Sequence, residues 1–382
     1  MYKVPFVGYI KQYKDHKKEF DKAYSSCDER GAYIFQKELQ DFEDKLAKMN
    51  DSKYGIGTDS CTGALHIALW ARGIGPGDEV ITVSHTFVAT IDVICRLGAT
   101  PVLIDVKETD HNMDESLIEK VITKRTKAII PVHLNGRMCN MEKIMKIAKK
   151  YNLFVVEDSA QAAGAKFKGK GHYGDVSCYS FYPAKVLGSQ GEGGMAITTD
   201  KELAKKLYLL RDHGLYPGYV QRMFNIKADP KDIHCIGGNS ILDNKDAAFL
   251  LIKLKHFDKA IKRRREIANR YNKELSRLKE IVCPPAPSNG DYYDVYQNYV
   301  IRVKDGKRDK LNDYLNKSGV ETIVSWRIPN HKQKALTELH KFKLPITEKI
   351  SNEVISLPMY PELANKQIDY VIKIIQNFYK KK

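Results

Sequence analysis

Leu153-Phe154-Val155-Val156-Glu157-Asp158-Ser159-Ala160-Gln161 decides the fold, together with Ser180-Phe181-Tyr182-Pro183-Ala184-Lys185 and Gly191-Glu192-Gly193-Gly194 downstream. The apolar run Leu153 to Val156 ends in two carboxylates. A short apolar run without alternation predicts a strand buried on both faces, as in a parallel sheet. In open α/β sheets, ligands bind beyond the carboxyl ends of the strands, which puts Asp158 at a site mouth. Val176 to Phe181 predicts a second strand, and Lys185 follows it in a loop before a Gly-rich turn. A carboxylate and a lysine at strand ends suit a cofactor with a cationic ring nitrogen and an aldehyde. Pyridoxal 5'-phosphate (PLP) has both, and proteins meet it with a Schiff-base lysine and an acid at the ring nitrogen. A loop lysine is ordinarily a solvated charge. An aspartate is often a helix N-cap, which fits poorly directly after a buried strand.

Read together, Glu157-Asp158-Ser159-Ala160-Gln161-Ala162-Ala163-Gly164-Ala165, Ser180-Phe181-Tyr182-Pro183-Ala184-Lys185-Val186-Leu187-Gly188 and the Gly-rich turn resemble the DegT/DnrJ/EryC1/StrS sugar aminotransferases. The resemblance runs from Val4-Pro5-Phe6 to Leu357-Pro358-Met359-Tyr360-Pro361. It implies an α/β chain of PLP fold type I. A large domain with a mostly parallel seven-stranded sheet between helices is expected, with a smaller α+β C-terminal domain. The expected division is 1–250 for the N-terminal arm and PLP-binding domain and 251–382 for the small domain. The resemblance makes Lys185 and Asp158 the catalytic pair. It gives the cofactor phosphate to Thr62, Gly63 and Ser180, the ring face to Phe87 and the phenolic oxygen to Gln161. Asn239, in Gly237-Gly238-Asn239-Ser240-Ile241-Leu242-Asp243, is expected to reach the phosphate of the neighbouring subunit, which implies a homodimer with composite sites. The chain departs from the family pattern at Gln36 and Cys61, where Gly is usual, at Ile241 for Arg, and at Arg327 for Pro. Burial and a nearby cation are expected to lower the Lys185 pKa toward neutrality.

Small residues at Asp59-Ser60-Cys61-Thr62-Gly63 open a helix running to about Arg72, and a helix start offers free N–H groups to an anion. There the plainer role for Ser60 or Thr62 is an N-cap. Further strands are expected at Tyr54 to Thr58, Thr100 to Asp105, Ala128 to His133, Val295 to Val303 and Val320 to Val324. Asp243 to Lys279 reads as one long basic helix.

The 382 residues carry 63 Lys and Arg against 47 Asp and Glu, a formal +16. Such a charge raises nucleic-acid binding as a rival, but the lysines are spread over helices and no aromatic-basic interleaving or zinc-finger spacing accompanies them. A positive field also favours capture of an anionic nucleotide-sugar. The seven cysteines are scattered without a Cys-x-x-Cys pair, which points to reduced thiols and a cytoplasmic protein. No apolar run predicts a membrane span, and Met1 to Phe6 does not predict a signal peptide. The eleven histidines show no His-x-x-x-His spacing, so no metal is expected.

The expected reaction is transamination of a nucleotide-linked keto-deoxysugar with L-glutamate as donor. Val4-Pro5-Phe6, Gly31-Ala32-Tyr33-Ile34 and Val295-Tyr296-Gln297-Asn298-Tyr299 resemble members acting at C3. Amination at C4 is the alternative. A PLP-dependent sugar dehydratase is a further one, although relatives with that chemistry carry histidine where this chain has Lys185.

Overall fold

A computed structural model describes residues 2–380, so of the basic run Lys380–Lys382 only Lys380 lies within it. Seven strands make one sheet. They are β1 (Tyr54–Thr58), β2 (Glu79–Val83), β3 (Thr100–Ile104), β4 (Thr126–Ile129), β5 (Phe154–Asp158), β6 (Val176–Ser180) and β7 (Gly194–Thr198). Their order is β1-β7-β6-β5-β4-β2-β3. Only β7 runs against its neighbours, while β2 to β6 pair in parallel.

Every residue of β5, β6 and β7 is buried, because apolar helices cover both faces. Successive residues of β5 feed opposite clusters: Val155 packs with Leu39, Phe42 and Leu46 of α2 (Lys37–Met49). Val156 packs with Ala64, Leu65 and Ala68 of α3 (Cys61–Ala71). The period of two therefore sends Glu157 to the α2 side and Asp158 to the α3 side.

Gly194 explains the end of the Gly-rich turn. A Cβ there would lie 2.2 Å from the Ser60 carbonyl carbon and 2.4 Å from Cys61 N. Only glycine lets β7 pass this close to the start of α3.

A second sheet holds β8 (Ile281–Val282), β9 (Tyr299–Val303) and β10 (Val354–Leu357) in the order β10-β9-β8, all antiparallel. It shares a separate apolar cluster with Ile267, Tyr271, Leu311 and Ile368.

The elements differ from expectation in four places. The long basic helix is two, α5 (Asn244–Lys255) and α6 (Phe257–Leu275), broken at His256. The two packs differ: α5 lies on α2 and on α1 (Tyr9–Glu29), whereas α6 buries Ile267 and Tyr271 in the second cluster. Strand β4 stops at Ile129 because Pro131 has no N–H to continue the ladder; a single bridge, Val132 to Asp158, remains. Strand β9 starts only at Tyr299, since Tyr296 takes a left-handed φ of 51° and turns the chain before it. Val320 to Val324 makes only isolated bridges, Val320 with Val4 and Ile323 with Ser356.

Candidate active site

Asp158 ends β5 at its carboxyl end and is 5% exposed. Its Oδ2 accepts from the Thr90 hydroxyl at 2.7 Å and its Oδ1 from the Ala160 N–H at 3.2 Å. Thr90 lies in the first turn of α4 (Ala89–Arg96) and is fully buried. These two contacts aim the carboxylate and leave the rest of its acceptor capacity for a ligand.

Lys185 lies in the loop after β6, half-buried, and its amine has no hydrogen-bond partner among the described residues. Burial pulls the amine below its ordinary value of 10.5, against the opposing influence of Cys61, Asp158 and Glu192. The expected nearby cation is not among the causes, so desolvation alone does the lowering. Cys61 stands where the family usually has Gly. Its thiol donates to the Cys178 carbonyl at 3.4 Å, and burial pushes its pKa well up. It is a packed neutral thiol that joins α3 to β6.

The lysine loop is braced from three sides. Gln297 Oε1 accepts from the Val186 N–H at 2.6 Å, and its Nε2 donates to the Ala184 carbonyl at 2.8 Å. One buried amide thus clasps the backbone on both sides of Lys185. From α5, Lys253 donates to the Gly188 carbonyl at 2.7 Å, and Asp246 accepts from the Ser189 hydroxyl.

At the start of α3, Ser60 is the N-cap, accepting from the Gly63 N–H at 3.0 Å. Thr62 is half-buried, and its N–H is among the first-turn donors that a helix leaves unbonded. Close packing requires glycine at position 63. A Cβ there would come within 2.3 Å of both Asp59 Oδ1 and Ser240 Oγ. Ser180, at the end of β6, accepts from the Tyr182 N–H at 3.3 Å and is 9% exposed. Gln161 Oε1 accepts from the Asn135 N–H at 2.8 Å, which leaves its Nε2 as a donor. Phe87 is 62% exposed and packs into no core. Asn239 is also exposed. The next residue, Ser240, is tied to Asp59 by a 2.5 Å hydrogen bond, so this loop lies beside the α3 turn of its own chain.

Asp158, Lys185 and Cys61 at the start of α3 lie near enough to feel one another's charge, at the carboxyl ends of β5 and β6. The anchored carboxylate, the desolvated amine and the small-residue helix start fit PLP. When bound, that cofactor supplies an aldehyde for amine exchange and a protonated ring that accepts electron density.

Glu157 faces the other way and is fully buried. It accepts from His133 Nε2 at 2.7 Å, the Ser177 hydroxyl at 2.7 Å, and the N–H groups of Tyr173 and Gly174 at 2.9 and 2.7 Å. Because His133 Nδ1 accepts from the Cys139 N–H, its Nε2 carries the proton. Burial opposes the charge on Glu157, but the hydrogen bonds from His133 and His172 win and hold its carboxyl well below the usual range.

Sequence reasoning missed Thr90 and Gln297. Thr90 falls in a stretch read only for Phe87. Gln297 falls in one read as strand, and its lysine-loop partners are over a hundred residues away.

A strand-end carboxylate, a loop lysine and this sheet order define a PLP-dependent aminotransferase of fold type I. The chain belongs to the DegT/DnrJ/EryC1/StrS aminotransferase family, whose model matches residues 14–376. A Geobacillus stearothermophilus protein named "Pleiotropic regulatory protein" is 40% identical over 99% of both chains. The dTDP-3-amino-3,6-dideoxy-alpha-D-galactopyranose transaminase of Aneurinibacillus thermoaerophilus is 40% identical over 98% of this chain and 99% of its own. Among solved structures, S. venezuelae DesV in complex with a ketimine intermediate is 34% identical, covers 99% of each chain and superimposes with a TM-score of 0.92. Among the described residues no helix is long and apolar enough to cross a membrane.

Proposed function

We propose that the chain transfers the amino group of L-glutamate to the 3-keto position of a nucleotide-linked keto-deoxysugar. The product is a nucleotide-linked amino sugar for glycan or polysaccharide biosynthesis in the cytoplasm. The observation that carries this reading is the pairing of an anchored Asp158 with a half-buried, unpartnered Lys185. Lys185 holds the cofactor through its amine and, once displaced by the donor, takes the proton from the donor's α-carbon. Its lowered pKa suits that duty, because a base must first be unprotonated. Asp158 keeps the ring nitrogen protonated; at roughly 4 Å and an effective dielectric near 20, such a pair is worth about 4 kcal/mol. Thr62, Gly63 and Ser180 hold the phosphate, Gln161 donates to the phenolic oxygen and Phe87 covers the ring face.

The active unit is a homodimer, with Asn239 of each subunit on the other's phosphate. In support, Asn239 is exposed beside Ile236 and Ile233, which are 84% and 71% exposed. We place the division between large and small domains at 250/251, just before the α5–α6 break. The 3-keto assignment is supported by the motifs at 4–6, 31–34 and 295–299 and by the activity for which the Aneurinibacillus relative is named.

The test offers glutamate with dTDP-, UDP- and GDP-linked 3-keto and 4-keto deoxysugars and follows products by mass spectrometry, with NMR to locate the nitrogen. Amine at C3 is expected. Amine at C4, or a dehydrated product without nitrogen, overturns the assignment. For the dimer, inactive Lys185→Ala and Asn239→Asp chains are mixed under subunit exchange. One site of the heterodimer then carries both lesions and the other neither, so activity should return. Continued inactivity with exchange demonstrated places Asn239 in its own chain's site.

A further inference from the structure

Away from the cleft, α1 crosses the break between α5 and α6. There His16 and Glu19, one turn apart on α1, meet His256, the residue at the break. Glu19 Oε1 lies 2.9 Å from His256 Nε2 and 3.6 Å from His16 Nδ1. The three donor atoms fall within 4.8 Å of one another, and all three residues are half-buried. The floor beneath them is firm: Phe20 stacks on Phe249 with centroids 4.1 Å apart, and both rings are buried.

We propose that His16, Glu19 and His256 form a divalent-cation site of the zinc class. Two imidazole nitrogens and a carboxylate oxygen are borderline donors that suit Zn²⁺, with a fourth position left for water. Donors on a tetrahedral ion at about 2.1 Å stand roughly 3.4 Å apart. The observed 2.9 and 3.6 Å bracket that spacing, and a turn of one imidazole closes the third edge. An ion pair alone accounts for the cluster less well. The imidazole rings lie 4.2 Å apart, so protonating both sets two like charges against each other. His16 Nδ1 and Glu19 Oε1, 3.6 Å apart, stand beyond hydrogen-bond distance, a gap that a cation bridges. Lys255 is the competitor, with Nζ 3.7 Å from Glu19 Oε2, but its side chain is 60% exposed and free to swing away.

The site ties α1 to the helix end that braces the lysine loop. Lys253, in the last turn of α5, donates both to Gln12 on α1 and to the Gly188 carbonyl. Sequence spacing hides the site, because His256 lies 237 residues beyond Glu19.

The test uses the PLP-loaded enzyme, stripped with EDTA, returned to chelator-free buffer and equilibrated with Zn²⁺. Bound zinc is counted by elemental analysis, and affinity is measured by calorimetry. One zinc per chain is expected, with a raised melting temperature. His16→Ala and His256→Ala should each weaken binding by at least about a hundredfold, the upper end of what losing merely an outer partner costs. His340→Ala, which removes an exposed histidine elsewhere, should leave it unchanged. If His256→Ala does not fold, His16→Ala carries the test alone. Absence of zinc binding in the wild type overturns the proposal, and so does zinc that survives in the His16 variant, for example on exposed Cys95.

Discussion

Glu157 and Asp158 are adjacent carboxylates on one strand, and the two faces of β5 give them opposite fates. On the α2 face, Glu157 is surrounded by donors that use its oxygens. On the α3 face, Asp158 has two donors and an open side toward Lys185 and Cys61. A satisfied buried carboxylate serves folding, whereas an aimed but unsatisfied one is available to a ligand. Residue type and sequence position do not separate them; the period of two along the strand does.

The largest effect is expected on the open face. Lys185→Ala should lower turnover by about four orders of magnitude or more, since in the proposed mechanism the nucleophile and the proton carrier are lost together. The variant should stay folded, which a thermal melt would verify. Asp158→Asn should follow, with turnover down about a hundredfold to a thousandfold and the cofactor still covalently attached by absorbance. Near-normal turnover would break the contrast between the two faces.

The closed face should respond in stability instead. Glu157→Gln keeps size but removes the charge that four donors and His172 hold, at a cost of about 3–5 kcal/mol. Denaturant titration should detect this while turnover per folded molecule persists. The carboxyl is held below its ordinary 4.5, so its stabilisation is complete above that pH. It fades only as acid titrates the folded group further down, so the wild type should lose its advantage over Glu157→Gln in strong acid.

Smaller effects sharpen the picture of aim. Gln297→Ala frees the backbone on both sides of Lys185. A shift of about 1 Å at a reacting group costs up to roughly a hundredfold, so kcat should fall with KM little changed. Thr90→Val removes one hydrogen bond from the Asp158 carboxylate, worth about 1.5–3 kcal/mol. A fall in kcat of about tenfold is expected by steady-state kinetics, with the melting temperature lowered by a few degrees.

What could be read in the sequence follows the same division. The strands around Asp158, the helix opened by Ser60 and the lysine loop are local features, and uninterrupted apolar runs and small-residue turns mark them. The clasp by Gln297, the brace by Lys253 and the break at His256 depend on partners far away in the chain. An irregular turn at Tyr296 defeats a reading built on periodicity, because an apolar and aromatic run resembles a strand wherever it bends. The neutral role of Cys61 was hidden for a related reason: only the packed β6 carbonyl tells a buried thiol from an altered phosphate turn.

The central claim is that Lys185 carries the cofactor, and one measurement addresses it directly. The PLP-loaded enzyme is reduced with borohydride, digested, and its peptides are sequenced by mass spectrometry. The account predicts a pyridoxyl adduct on Lys185, within Ser180-Phe181-Tyr182-Pro183-Ala184-Lys185-Val186. An adduct on any other lysine, with Lys185 unmodified, would contradict it.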